Sequence, residues 1–196
     1  MASTLKVDNI IATDGTTAPI TLSGDAATLG SAVTFPAGHI IQTKRKDLTS
    51  STTNNNYNEF SFNSSTPTVP SVSSNNLEVT GFSASSGNIL FVTWNYGLLE
   101  TYSGNTCLSG FKVGSTFYAT NFFQGGAGGS GAGRYTMVST GSITLDSDLS
   151  NATISACVSA PNSTSSKLLH YAYTQGSPTH NFSITVMEIK QWVMKF

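Results

Sequence analysis

The sequence predicts an all-β fold, and three observations indicate it. No window of about eleven residues repeats apolar side chains at helical spacing without a Gly, a Pro or a Ser/Thr cluster inside it. Thr, Val, Tyr, Phe and Ile dominate the apolar runs, and these side chains suit a pleated surface. Turn pairs such as Asp14-Gly15, Ser103-Gly104 and Val113-Gly114 recur at short intervals. Short strands separated in this way predict an antiparallel sandwich or barrel.

Residues 1–37 are predicted to be an extended N-terminal arm. They contain neither Trp nor Tyr, and their apolar residues fall in three short segments, 5–12, 19–23 and 32–35. So few apolar side chains cannot offset about 1–2 kcal/mol of backbone entropy for each ordered residue. We therefore expect this arm to be ordered only by neighbouring chains.

Residues 38–196 are predicted to form one head domain, which begins near the sequence Pro36-Ala37-Gly38. Alternating or continuous apolar runs bounded by turn residues predict about ten strands in it. These predicted strands cover residues 39–45, 57–62, 77–83, 88–97, 106–113, 116–123, 134–145, 152–159, 167–174 and 181–190.

The predicted strand 88–97 carries apolar side chains on both faces. One face holds Leu90, Val92, Trp94 and Tyr96, and the other begins with apolar residues before it becomes polar. A sandwich strand normally exposes one face to water, so a second apolar face calls for another subunit. The prediction is a trimer interface formed by the aromatic residues of this strand and of 167–174: Trp94, Tyr96, Tyr171 and Tyr173. Ordinary core packing of these residues is the alternative that stays open.

Composition excludes several functions. Only 10% of the residues are charged, the net charge is −1, and nine Lys and Arg are spread along the chain, so no nucleic-acid partner is expected. No apolar run reaches the roughly 18 residues of a membrane-spanning helix, so no membrane insertion is expected. The opening residues lack the basic and apolar regions of a secretory signal. Two cysteines, Cys107 and Cys157, are expected to be free thiols, and one disulfide between them stays open.

No motif predicts catalysis, a cofactor or a metal. Gly126, Gly128 and Gly131 have the spacing of a dinucleotide-binding loop, but a predicted strand follows them instead of the helix that such a site requires. The histidines stand far apart in sequence, at positions 39, 170 and 180. No pair of carboxylates stands out as catalytic, and a calcium ion at the turn of Asp146 and Asp148 is the minor alternative to a solvated loop. An enzyme is not expected.

Segments at both ends of the chain resemble a known class of proteins. The opening MASTLKVDNI, followed by AVTFPAGHIIQ, is similar to the leaders of structural proteins of marine bacteriophages, especially those that infect cyanobacteria. The closing segments KLLHYAYTQ and NFSITVMEIKQ resemble the last strands of the trimeric jelly-roll heads that follow such leaders. The tail 192–196 and the Gly-rich insertion 124–133 depart from this pattern.

The resemblance implies a fold and a setting. It implies an antiparallel jelly roll like the heads of tumour necrosis factor and complement, assembled as a homotrimer, in a virion protein made in the bacterial cytoplasm. The arm would then anchor the protein to a portal, tail or capsid component. The anchoring residues would be the aliphatic ones at its start: Leu5, Val7, Ile10 and Ile11.

Two functions remain open on these grounds. In the first, the protein is a head or tail fibre or spike that attaches to a glycan or protein of the host surface. Candidate receptor-facing loops are then 99–106, with Tyr102 and Asn105, and the Gly-rich loop, with Gly126 and Gly129, because polar and aromatic loops recognise partners without disturbing a sandwich. In the second, the protein is a passive capsid decoration or tail adaptor without receptor binding.

Overall fold

A computed structural model describes the chain in ten ranges: residues 9–10, 20–23, 26–29, 37–48, 57–72, 74–101, 106–124, 133–161, 166–171 and 182–191. Within these ranges there are strands and turns but no helix, which confirms the all-β prediction. No membrane-spanning helix occurs in the described part of the chain. In chain order the strands are β1 Asn9–Ile10, β2 Ile20–Ser23, β3 Ala26–Leu29, β4 Ile40–Leu48, β5 Tyr57–Phe62, β6 Ser71–Val72, β7 Asn75–Asn76, β8 Glu78–Ala84, β9 Ile89–Thr101, β10 Thr106–Val113, β11 Thr116–Gln124, β12 Gly133–Thr144, β13 Leu149–Ser159, β14 Ser166–Tyr171 and β15 Phe182–Ile189.

The larger sheet is built around β9. One edge of β9 pairs with β15 along residues 89–95 and with β14 along residues 98–101, while its other edge pairs with β12. Strand β4 lies outside β15, and β5 lies outside β14. All of these pairings are antiparallel, as alternating apolar patterns and short turns predict.

The smaller sheet has the strand order β11-β10-β13-β8, again antiparallel throughout. Beyond β8 the edge of β13 continues to pair with the segment before β6, where Thr68 and Val158 exchange two backbone hydrogen bonds of 2.8 and 2.9 Å. Strands β6 and β7 form a two-residue hairpin of their own. Ser74 in its turn has a φ of 65°.

The two sheets pack face to face as a β-sandwich. Trp94 of β9 donates a hydrogen bond from Nε1 to Ser109 Oγ of β10 at 2.8 Å, and its ring lies 5.9 Å from that of Phe111. Tyr96 donates from its hydroxyl to the backbone oxygen of Cys157 in β13 at 2.8 Å. Each bond joins one sheet to the other, so the buried polar ends of these large rings are satisfied and the two layers are held in register.

Alternation along β9 decides which face enters the core. Leu90, Val92, Trp94 and Tyr96 are completely buried, whereas the residues between them are partly exposed. The corresponding inward residues of β15 are Phe182, Ile184 and Val186, and all three are also completely buried. A period of two in both strands therefore builds one apolar layer.

The register of the strands gives the sandwich two distinct ends. At the base, Gly38 N donates to Lys190 O at 2.8 Å, and Ile89 at the start of β9 lies opposite Ile189. At the distal end, Thr101 at the end of β9 lies opposite Gly133, and Thr106 lies opposite Gln124. A strand of 13 residues spans about 40 Å, so the ends lie far apart.

Inside the predicted arm, the described strands form a separate three-stranded antiparallel sheet. Asn9 lies opposite Thr21, and Ile20 lies opposite Leu29. Two of the three predicted extended segments contain β1 and β2, and the third, 32–35, lies outside the described residues. The boundary of the arm and its role as an anchor stay predictions.

Candidate functional site

The predicted trimer interface is wrong for its first two residues. Trp94 and Tyr96 are 0% exposed within a single chain, because both lie between the two sheets. No surface of either side chain remains for a second subunit. Tyr171 ends β14, where only the backbone is described, and Tyr173 lies outside the described residues.

The other predicted site residues belong to segments that the structure describes little. Ile10 is in β1, while Leu5, Val7 and Ile11 lie outside the described residues. The loop residues Tyr102, Asn105, Gly126 and Gly129 also lie outside them. The strand ends that flank both loops are described, however, and Thr101, Thr106, Gln124 and Gly133 place both loop attachments at the distal end.

The outward face of the larger sheet carries an apolar patch at its base, as the two-faced pattern of β9 predicted. Ile40 and Ile41 are 48% and 37% exposed. Ile40 lies opposite Ile189, which in turn lies opposite Ile89, so three neighbouring strands contribute to one row. We call this the basal patch, and its members are Ile40, Ile41, Ile89, Phe91, Met187 and Ile189.

Two further apolar side chains are exposed at the β11 and β12 edges of the two sheets. Phe122 of β11 is 61% exposed and Val138 of β12 is 59% exposed. Strand β11 is the edge of the smaller sheet, and β12 pairs only with β9 among the described strands. We call Phe122 and Val138 the edge patch.

A polar groove opens between β4 and the segment that contains β7 and β8. It has a volume of about 470 Å³ and is lined by Lys44, Arg45, Lys46, Ser74, Asn75, Asn76, Glu78, Val79 and Thr80. Three consecutive cationic residues of the chain stand on one of its walls, although the whole chain has only nine Lys and Arg. None of the predicted site residues belongs to this run, whose signal in the sequence is the string KRK in β4.

One of these three cations is neutralised locally. Arg45 donates to both carboxylate oxygens of Asp47, with Nε–Oδ2 at 2.9 Å and Nη2–Oδ1 at 2.7 Å. The hydrogen bonds from Arg45 lower the pKa of Asp47, and those to Asp47 raise the pKa of Arg45. The charges left in the groove are therefore those of Lys44, Lys46 and Glu78.

A buried carboxylate lies at the base, at a position that no sequence motif indicates. Glu188 of β15 is only 3% exposed. Its Oε1 accepts hydrogen bonds from Ser85 N at 2.9 Å and from Asn88 Nδ2 at 2.6 Å, and its Oε2 accepts one from Gln42 Nε2 at 2.8 Å. Three donors, one on β4 and two on the turn between β8 and β9, thus bind the same carboxylate group. These hydrogen bonds hold the turn against the larger sheet.

The two cysteines are buried, and a carboxylate of the turn at Asp146 and Asp148 is hydrogen-bonded within the chain. Cys107 and Cys157 are free and buried, and loss of hydration raises the pKa of each thiol to about 12. Asp148 accepts a hydrogen bond from Ser86 N at 2.7 Å. Across the described residues, no three His, Cys, Asp or Glu side chains form a group that could hold a metal ion.

Two comparisons with known proteins found no match. No protein-family model matches the chain. No curated protein matches it significantly either.

Proposed function

We propose that this chain is a structural protein of a bacteriophage virion, a trimeric fibre or spike whose arm is anchored in the particle and whose head attaches to the host. The observation that carries the proposal is the polarity of the sandwich. The chain enters at the base, where Gly38 pairs with Lys190, and both candidate recognition loops are attached at the distal end. An anchored arm would therefore direct these loops away from the particle.

The strand order supports the jelly-roll part of the proposal. The two main layers contain ten strands, and eight of them, leaving aside β5 and β14 of the larger sheet, can be numbered one to eight in chain order as β4, β8, β9, β10, β11, β12, β13 and β15. The larger layer then has the order 1-8-3-6 and the smaller layer 2-7-4-5. Two interlocked Greek keys produce this order, which is that of a jelly roll.

Two separate apolar patches support a trimer. In a ring with three-fold symmetry each contact is heterologous, so one surface of a subunit meets a different surface of the next. The basal patch lies on the β4 and β15 side of the larger sheet, and the edge patch lies on the β11 and β12 side. We expect each edge patch to cover the basal patch of the neighbouring subunit.

Recognition would use the distal loops, because three copies of a weak site gain affinity together. Linked sites raise avidity by about 10²–10⁴ when the partner can be reached by all of them. Tyr102, Asn105 and the Gly-rich loop supply the polar and aromatic groups that adaptable binding surfaces use.

The test is the copy number and position of the chain in intact particles. Quantitative mass spectrometry and electron microscopy of labelled particles should find sets of three at a vertex or around the tail. Deletion of residues 1–37 should leave a folded head in solution but remove it from particles. Hundreds of copies over the shell would favour passive decoration, and full occupancy without the arm would refute the anchor.

A further inference from the structure

Side chains of β4 reach across the open side of the sandwich to β8 in a regular series. Gln42 Nε2 donates to Ser83 O, and Lys44 Nζ donates to Gly81 O at 2.5 Å. Each step of two residues forward on β4 matches a step of two residues back on β8. The next pair in this series is Lys46 with Val79.

The series stops at Lys46, where the two edges separate and the groove begins. The side chain of Lys46 is exposed and makes no hydrogen bond or ion pair to another described residue. A smaller cavity of about 170 Å³ continues the groove past Lys46, between Leu48 and Val72. Lys46 therefore lines both concave spaces.

The walls of the groove combine a positive charge with neutral polar groups. Lys44 is tied to Gly81 O and Arg45 to Asp47, so Lys46 is the cation with the most freedom to meet a ligand. Opposite it, Ser74, Asn76 and Thr80 add hydroxyl and amide groups. Two carboxylates lie nearby: that of Glu78 accepts from Ser155 Oγ at 3.3 Å, and that of Asp47, which lines the smaller cavity, is paired with Arg45.

We infer that this groove binds an acidic polysaccharide, with a carboxylate or sulfate group of one sugar at Lys46 and sugar hydroxyls on the amide and hydroxyl wall. A charge-assisted bond to an ammonium group fixes the anion, and amides both donate to and accept from hydroxyls. A nucleic acid fits less well, because the described residues that line the groove include no aromatic side chain on which a base could stack.

The site differs from the distal loops and does not require that the protein belong to a virion. If the attachment proposal holds, the groove adds a second contact with the host surface on the side of the head. Binding by the purified chain is independent of where the protein is located, so the two proposals fail separately.

The experiment measures binding of the purified full-length chain by calorimetry to three oligosaccharides of equal length: an oligouronate, a sulfated oligosaccharide and a neutral one. An oligothymidylate of matched charge is the fourth probe. The expected result is binding of one of the two acidic oligosaccharides and a loss of about tenfold or more in affinity for Lys46→Gln. The matched control Lys190→Gln, which removes the same charge at the base, should leave the affinity unchanged.

Three results would overturn the inference. The first is no binding of either acidic oligosaccharide, and the second is equal binding by Lys46→Gln and the unaltered chain. The third is binding of the oligothymidylate that both Lys46→Gln and Lys190→Gln weaken equally, since this would indicate only a general attraction for polyanions. Circular dichroism checks that Lys46→Gln folds, which we expect because the side chain is exposed.

Discussion

Glu188 illustrates how one buried side chain holds several segments together. A carboxylate accepts hydrogen bonds only, and here donors from Gln42, Ser85 and Asn88 surround it. In Glu188→Gln an amide NH₂ replaces one oxygen and faces a donor. We expect the free energy of unfolding in urea to fall by about 2–3 kcal/mol, because at least one buried donor loses its acceptor.

The control for this substitution is Glu78→Gln. Glu78 is partly exposed, and its Oε2 lies 3.3 Å from Ser155 Oγ. This hydroxyl group can rotate to donate or to accept a hydrogen bond. We expect a much smaller change in the free energy of unfolding. Equal effects of the two substitutions would contradict the role given to Glu188.

The thiols of Cys107 and Cys157 should be unreactive in the folded chain. Burial raises the pKa of both to about 12, and the thiolate is the reactive form. At pH 8 a disulfide reagent should modify neither cysteine in buffer and both in urea. Rapid modification without denaturant would show that the distal half of the sandwich opens readily.

The same pKa values predict how stability depends on pH. The thiol pKa is about 12 in the folded chain and near 9.0 when unperturbed, so only unfolded chains lose these protons between those values. The buried thiols therefore make their full contribution to the free energy of unfolding below pH 9. This contribution falls as the pH rises towards 12, by about 1.4 kcal/mol per pH unit for each thiol. Urea unfolding at a series of pH values measures this slope, and Cys107→Ala should remove one thiol's share of it. Above pH 10 the buried Tyr96 phenol, whose pKa burial raises well above 10.0, adds to the slope in both proteins.

Side-chain direction limits what a sequence can reveal about single residues. The alternation in β9 correctly separates Trp94 and Tyr96 from Ile89 and Phe91, yet it does not say which set faces inward. The predicted trimer interface requires both aromatic side chains to point outward, whereas they fill the space between the sheets. The partners of Glu188 are also beyond sequence reasoning, because the nearest of them is Asn88, 100 residues away along the chain.

At the scale of elements, a bulge shapes the hairpin of β10 and β11. The pairing shifts between Ser109 and Gly110, and the backbone of β11 comes very close to Gly110. A Cβ built there would lie 2.2 Å from Tyr118 O and 2.6 Å from Cε2 of Phe117. Gly110→Ala should therefore lower the free energy of unfolding by about 3 kcal/mol, since backbone cannot move aside cheaply.

Gly87→Ala is the matched control for the bulge. Gly87 has a φ of +78°, but a Cβ there would meet no atom within 4 Å. The substitution thus adds conformational strain of about 1 kcal/mol without a clash. If thermal or urea unfolding gave the two variants the same stability, the close approach at Gly110 would not explain the bulge.

Most strands were predictable because period-two patterns and turn residues are local. The predicted ranges 57–62 and 106–113 agree with β5 and β10, and the other predicted strands of the head overlap observed ones. Strands β6 and β7 were missed because two residues carry no pattern. In β13 the alternation of polar and apolar residues does not separate an exposed face from a buried one, because Ser155, Cys157 and Ser159 are buried as well. Long-range packing covers the face that carries these three residues: Lys112 reaches Pro67 O, and the Phe117 ring lies over Gly110.

For the whole molecule, the pairing of distant strands determines what the surface can do. Strand β4 pairs with β15, at the other end of the head sequence, and this brings Ile40 beside Ile189. The sequence indicated that β9 has a second apolar face, but the two separate patches arise only from the order of strands in the sheets. The groove at Lys46 has the same origin, because β4 and β8 become neighbours only across the open side of the sandwich.

The two patches make the proposed trimer testable with a complementary pair of variants. Ile40→Asp places a charge in the basal patch and Phe122→Asp in the edge patch, and the 48% and 61% exposure of these side chains leaves the folded chain intact. Sedimentation should give three times the monomer mass for the unaltered chain and for the turn variant Ser115→Asp, but a monomer for each patch variant. A one-to-one mixture of the two patch variants should give a dimer, because one intact edge patch can still meet one intact basal patch while the ring cannot close. A monomeric unaltered chain would refute the heterologous contact, and so would patch variants that remain trimers. A trimer that is restored by mixing the two patch variants would show that the two patches do not face each other.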